Sequence, residues 1–250
     1  MSAPSPTVWR EISKIPPVAP AEIHVWRINL VRPPAEIARL QNILSAAEKK
    51  QAARFHFAHD QRRFVIRRAA LRQLLATQLG LRPEEIEIDS ANFQKPKIAA
   101  AQNCRQLRFS SSHSADWALI ALAQNCEVGV DVEQHRTLPD AADLVNNFFS
   151  DWEIIEFERL PEPARTEGFF NCWTRKEAFV KALGLGLAHP LKQFSVTLAP
   201  GQPAALVSVA GDSAAREKWR MVSLDVAPAH AAALVFETGP STVRCFEWRW

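Results

Sequence analysis

Glu177-Ala-Phe-Val-Lys-Ala-Leu-Gly-Leu185 closes what reads as an amphipathic helix, and Gln73-Leu-Leu-Ala-Thr-Gln-Leu-Gly-Leu81 repeats its pattern earlier in the chain. Each run reaches a glycine where helices commonly stop in the left-handed conformation. Each is preceded by a further helical segment and followed by strand-like runs. The echo predicts an α+β fold of two similar α/β halves, an intramolecular pseudo-dimer with the active site in the cleft between them. Clefts between domains are common ligand sites. The expected divisions are an extended lead-in over 1–20, a first half over 21–125 and a second half over 126–250.

The rest of the chain agrees with a large folded core. It has 250 residues, 47% of them hydrophobic, and a net charge of +3. That balance excludes wholesale disorder and a strongly basic nucleic-acid binder. None of the four cysteines, Cys104, Cys126, Cys172 and Cys245, stands in CxxC spacing, so they read as reduced thiols and not as a disulfide frame or zinc site. The proline-punctuated N-terminus lacks the apolar core of a signal peptide. No apolar stretch of about 18 residues predicts a membrane span. A cytoplasmic protein is expected.

Local signals place the elements. Ser45-Ala-Ala-Glu48 is a capping box. Asp60 is placed to cap the helix that Gly80 closes. Strands are expected at 23–30, 86–89, 107–111, 117–123 and 127–133. A second helical block covers 138–160 and 165–183. Five more strands follow, at 194–198, 205–209, 220–226, 232–237 and 243–248.

Three clusters suit chemistry. Glu177 and Lys181 are one helical turn apart on a face shared with Trp173, among many large apolar groups. Charges in such company are usually paired or bind something. Asp131 and Glu133 alternate onto one face of a strand, where they repel unless a cation or proton intervenes. Alone they fit a solvated strand end; with Glu177 they fit a hard, oxygen-ligated cation. Phe109-Ser-Ser-Ser-His-Ser114 reads as a polar turn after a strand, suited to an anion. Without a G-x-S-x-G elbow it does not read as a hydrolase nucleophile. Arg62, Arg63, Arg67, Arg68 and Arg72 have no acidic residue four positions away and read as a surface for an anion or an acidic partner. Gln94-Lys-Pro-Lys97 reads as a basic turn. His56 and His59 lack a third ligand for a metal. Gly184-Leu-Gly186 ends a helix and is no dinucleotide motif.

Gly129-Val-Asp-Val-Glu133 followed by Trp173-Thr-Arg-Lys-Glu-Ala-Phe-Val-Lys181 resembles the paired motifs of the 4′-phosphopantetheinyl transferases. The chain length, the doubled organisation and Ser112-His113-Ser114 make it similar to the long, Sfp-type branch, across roughly residues 45–200. The resemblance implies transfer of the phosphopantetheine arm of coenzyme A to a serine of an apo acyl or peptidyl carrier protein, with release of 3′,5′-ADP. It implies that Asp131, Glu133 and Glu177 hold Mg²⁺ and that Glu177 is the base. Lys181 would contact phosphates and the leaving group. Asp131 would also face the pyrophosphate. Arg63, Lys95, Ser112 and His113 would bind coenzyme A phosphates. The carrier would dock transiently, steered by basic residues, onto a monomer. No nucleic-acid or membrane partner is implied. Lys49 and Lys50 lie near a basic pair of the family but out of clear register, and the last forty residues carry no family motif. The competing readings are a metal-dependent phosphohydrolase or nuclease, and a non-catalytic module that binds coenzyme A or a carrier.

Overall fold

The structure is a computed structural model that describes residues 7–12, 14–89, 95–184, 190–239 and 242–250. Gln94, Leu185 and Gly186 of the motifs above lie outside these residues. The elements of the first part are β1 (Trp9–Glu11), β2 (Glu22–Asn29), α1 (Pro34–Gln41), α2 (Ala46–Ala52), α3 (Ala58–Leu79), β3 (Ile88–Asp89), β4 (Lys97–Ile98), β5 (Leu107–Ser114) and β6 (Trp117–Gln124). The second part holds β7 (Val128–Gln134), α4 (Ala141–Phe148), α5 (Asp151–Glu158), α6 (Glu162–Leu183), β8 (Phe194–Val196), β9 (Leu206–Val209), α7 (Ala215–Lys218), β10 (Trp219–Ser223), β11 (His230–Glu237) and β12 (Thr242–Glu247).

The chain is α+β, and its element order repeats. A strand, short helices, a 22-residue helix, a two-stranded pair and a hairpin occur twice. The pairing repeats too: β6 lies between β2 and β5, and β11 lies between β7 and β10. Three apolar clusters explain the layering. One joins α3 to the inner face of the first sheet through Trp26, Ile28, Phe109 and Ile120. Another joins α6 to the second sheet through Ala231, Ala233 and Val235. The third lies between the sheets and takes Ile23, Val25, Leu119 and Ala121 from one and Val128, Val130, Val132 and Leu234 from the other. Strand alternation makes this possible, because one face of β7 is valine and the other is Gly129, Asp131 and Glu133. β6 is packed on both faces, and its residues 118–123 are all apolar and buried, as a strand covered on both sides requires.

Several expectations change. The lead-in contains β1, which pairs with β12, and β12 runs parallel to β2. The last strand therefore belongs to the first sheet, although its sequence falls in the stretch read as the second half. Trp9 anchors β1 by donating its indole N–H to the Asp225 carbonyl at 2.5 Å and by lying under the Arg27 guanidinium. Asp60 does not cap α3; Phe57 holds the cap position with no side-chain bond. The 138–160 block breaks into α4 and α5, because Phe149 is extended and Ser150 starts a new helix with a capping box to Glu153. The capping box at Ser45 and the left-handed ends at Gly80 and Gly184 form as the sequence predicts. Among the described residues no helix is long and apolar enough to cross a membrane.

Candidate active site

Arg175, Lys176 and Glu177 follow one another on α6 and project in three directions, since each residue turns the helix by about 100°. Arg175 donates to the Thr197 carbonyl at 2.6 Å and to the Ser223 hydroxyl at 3.1 Å. The ammonium of Lys176 donates to both Glu153 oxygens, at 2.8 and 2.6 Å, and to the Phe194 carbonyl at 2.7 Å. Those three bonds use its whole donor capacity. Glu153 also accepts from the backbone N–H groups of Ser150 and Val196, both at 2.8 Å. Lys176 and Glu153 are completely buried, so this pair joins α5, β8 and α6 out of reach of water. Glu177 is left toward the carboxylates of β7.

The approach of α6 to β7 depends on Gly129. A Cβ at that position would lie 1.9 Å from the Ala178 carbonyl oxygen and 2.5 Å from the Ala182 nitrogen. Only a residue without a side chain lets the helix backbone rest on the strand there. Two residues on, Asp131 is buried. Its Oδ1 accepts from Lys181 Nζ at 2.6 Å and from the Ser112 hydroxyl at 2.6 Å. Lys181 also reaches Ser112 Oγ at 3.1 Å. The predicted motifs of β7 and α6 therefore meet, with β5 as a third wall.

β5 is longer than its sequence suggested. The strand runs on from the expected 107–111 through Ser112 to Ser114 in place of a turn, where alternate hydroxyls bind β7. Ser110 Oγ accepts from the Val130 N–H at 3.1 Å, Ser112 donates to Asp131, and Ser114 donates to Glu133 Oε2 at 2.7 Å. Side chains, not a backbone ladder, join the two sheets along this edge.

The carboxylates are unevenly satisfied. Glu133 accepts from Ser114 and, at 3.4 Å, from Arg136. Asp131 Oδ2 is buried and has no partner among the described residues. Glu177 makes no hydrogen bond or ion pair among the described residues. Its pKa is raised, first by burial and then by the charge of Asp131, with Glu133 adding to it and Lys181 opposing. An orphaned acceptor beside a repelled carboxylate fits a hard divalent cation in donor type. Among the described residues, however, no three His, Cys, Asp or Glu side chains are gathered closely enough to hold a metal as they stand. Lys181 and Ser112 already engage one oxygen of Asp131.

The remaining predicted residues divide. Arg63 pairs with Asp116 at 2.8 Å in the β5–β6 turn. His113 is exposed, and its pKa falls to about 4 through desolvation and the charges of Arg67, Lys181 and Arg63. Lys95 turns elsewhere, donating to Glu127 and to the Val128 carbonyl, both at 2.8 Å. Burial, opposed by Glu127, lowers its pKa. Arg68 and Arg72 are not a surface for partners: both grip buried Glu48, each at 2.5 Å. Arg72 also donates to the carbonyls of Pro83 and Ile86. Sequence reasoning overlooked the Lys176–Glu153 pair, although the Ser150-x-x-Glu153 capping pattern was readable.

A model described as the 4′-phosphopantetheinyl transferase superfamily matches residues 127–235. A second, described as 4′-phosphopantetheinyl transferase, N-terminal, matches residues 32–125. The chain is 35% identical over 185 residues to the 4′-phosphopantetheinyl transferase HetI of Nostoc sp., covering 74% of this chain and 78% of that protein. It is 28% identical over 163 residues to the 4′-phosphopantetheinyl transferase Sfp of Bacillus subtilis, covering 65% of this chain and 70% of that one. The solved holo-[acyl-carrier-protein] synthase of Thermotoga maritima overlaps 44% of this chain and 62% of its own at 25% identity, with a TM-score of 0.36.

Proposed function

Because the chain belongs to the 4′-phosphopantetheinyl transferase superfamily, in its Sfp-type branch, we propose that it transfers the phosphopantetheine arm of coenzyme A to a serine of an apo acyl or peptidyl carrier protein. The observation that carries this reading is the meeting of Lys181, Ser112 and Asp131 beside a Glu177 that has no partner among the described residues. The serine oxygen forms a new P–O bond to the phosphopantetheine phosphorus as the pyrophosphate P–O bond to 3′,5′-ADP breaks. Glu177 takes the serine proton, directly or through water, and its raised pKa suits a general base. Lys181 neutralises charge on the departing phosphate. Asp131, Glu133 and Glu177 are the residues that would hold Mg²⁺, and the ion would supply charge neutralisation for the pyrophosphate. Ser112, His113 and Arg63 would contact coenzyme A phosphates. Lys95 would have to leave Glu127 to do so.

The repeated strand order and the parting of the two family models between residues 125 and 127 support two halves acting as an intramolecular pseudo-dimer, divided near residue 126 except that β1 and the last strand, β12, complete the first sheet. One chain would then suffice, as a monomer. Four free cysteines, three of them buried, suit a reducing cytoplasm.

The test is incubation with coenzyme A, Mg²⁺ and a panel of apo carriers, read by mass on the carrier serine. A gain of the phosphopantetheine mass is expected, and none across the panel would refute the transferase reading. Glu177→Ala should bind coenzyme A within about threefold of the parent yet transfer at least about a hundredfold more slowly. Full activity in that variant would remove Glu177 from the mechanism.

A further inference from the structure

The five arginines of α3 do not act alike. Arg68 and Arg72 are neutralised by Glu48. Arg63 holds Asp116. Arg67 lies one helical turn beyond Arg63, on the same side of the helix. Its guanidinium makes no ion pair or hydrogen bond among the described residues, and its Nε is buried without a partner. Its Cζ lies 5.9 Å from the centroid of the Phe64 ring. Burial, then the charge of Arg68, brings its pKa down to about 10.

The opposing wall is β5. Leu107 and Phe109 belong to the cluster that packs on α3. Strand alternation puts His113 on that same side and Ser112 on the side of Asp131. Arg67, Lys181 and Arg63 all repel a proton from His113. Arg63 and Arg67 of α3 and Lys181 of α6 thus lie near enough to His113 of β5 to act on it, with Asp116 and Asp60 as the acidic groups against Arg63. Arg67 is half-buried, with its Nε shut off from water and its terminal nitrogens still accessible, so an anion beside it would supply the counter-charge that the described residues do not.

We propose that Arg67 is a phosphate-binding residue of the co-substrate site, its guanidinium pairing with a phosphate of coenzyme A. This rests on the transferase reading and sharpens it. Lys95 is bound to Glu127, so the cation expected from the β4 side is supplied by α3 instead. Arginine suits the role because its planar fork can donate two parallel hydrogen bonds to phosphate oxygens.

The test compares the parent with Arg67→Gln, Arg67→Lys and the exposed control Arg62→Gln. Two readouts are needed: calorimetric Kd for 3′,5′-ADP, and KM and kcat for coenzyme A with an apo carrier. Arg67→Gln should raise Kd and KM about tenfold or more, the loss of one charge-assisted contact, and leave kcat within about threefold. Arg67→Lys should recover part of the affinity, and Arg62→Gln should match the parent. Circular dichroism checks that each variant folds. If Arg67→Gln is misfolded, Arg67→Lys decides alone, because the loss of bidentate geometry should still weaken 3′,5′-ADP about threefold. Unchanged Kd in the folded variants, or a parent that does not bind 3′,5′-ADP, would overturn the assignment. A parent that binds 3′,5′-ADP through Arg67 but modifies no carrier would refute the transferase reading and leave the phosphate contact standing.

Discussion

α3 and α6 hold equivalent places in a repeated framework, but only α6 faces a pair of carboxylates on its partner strand. Both have 22 residues and end on a left-handed glycine. Counting back from those glycines, Gln73 and Thr77 stand where α6 has Glu177 and Lys181. On the facing strands, Trp26 pairs with Ile120 and Asp131 pairs with Ala233, each partner being the fourth residue of its strand. By the same count His24 stands where β7 has Gly129. The first half therefore keeps the geometry and replaces the chemistry: Trp26, Gln73 and Thr77 line a cavity of about 540 Å³ with Trp248 and Ile15. The same framework carries apolar and neutral side chains at these three positions in the first half and charged ones in the second.

The sharpest way to break the comparison is to remove the close approach that only α6 has. Gly129→Ala puts a methyl group into the Ala178 carbonyl. It should cost more than about 3 kcal/mol of stability and lower transfer at least about a hundredfold, as urea melts and the carrier assay would show. A variant of parental stability and rate would mean that α6 can shift without consequence. Next comes the buried pair. Lys176→Met leaves Glu153 charged and alone, and should cost about 3–5 kcal/mol. Lys176→Met with Glu153→Gln should recover part of that in denaturant melts. If the single and double variants melt together, the pair is not coupled.

A smaller effect belongs to His113. Its folded pKa of about 4 lies below the ordinary value of 6.5. The folded form resists a proton that the unfolded chain accepts, so its contribution is present above pH 6.5 and lost as pH falls toward 4. His113→Gln should flatten that loss by at most about 1 kcal/mol, discounted because the ring is exposed. Melts at pH 7 and pH 5 measure it, and an unchanged pH slope would contradict the assignment. The smallest effect is expected in the first half itself. Gln73→Glu with Thr77→Lys restores the α6 pair there, but Trp26 still stands in place of a carboxylate. Transfer should stay within about twofold of the parent. A marked change would show that the two pockets communicate.

Much of this was readable from local rules. Period two put Asp131 and Glu133 on one face, and period 3.6 put Glu177 above Lys181. Capping chemistry located Ser45, Gly80 and Gly184. What escaped was set by partners distant in sequence. Helical spacing shows no acid for Arg68 and Arg72, because Glu48 comes from another helix. Ser112 to Ser114 look like a turn until β7 supplies groups for their hydroxyls. Lys95 looks free until Glu127 is brought beside it. β12 carries no motif, and only its parallel pairing with β2 reveals where it belongs.

That last strand limits how the molecule can be divided. A cut between residues 125 and 126 would give two pieces of which the first lacks one of the five strands of its sheet and the second carries that strand unpaired. β1 would then lose its neighbour as well. Fragments meant to reassemble should instead be drawn so that residues 242–250 travel with the first sheet, for instance by circular permutation. In such a rearranged chain the C-terminal strand would act as a removable clasp on the half that lacks the carboxylates.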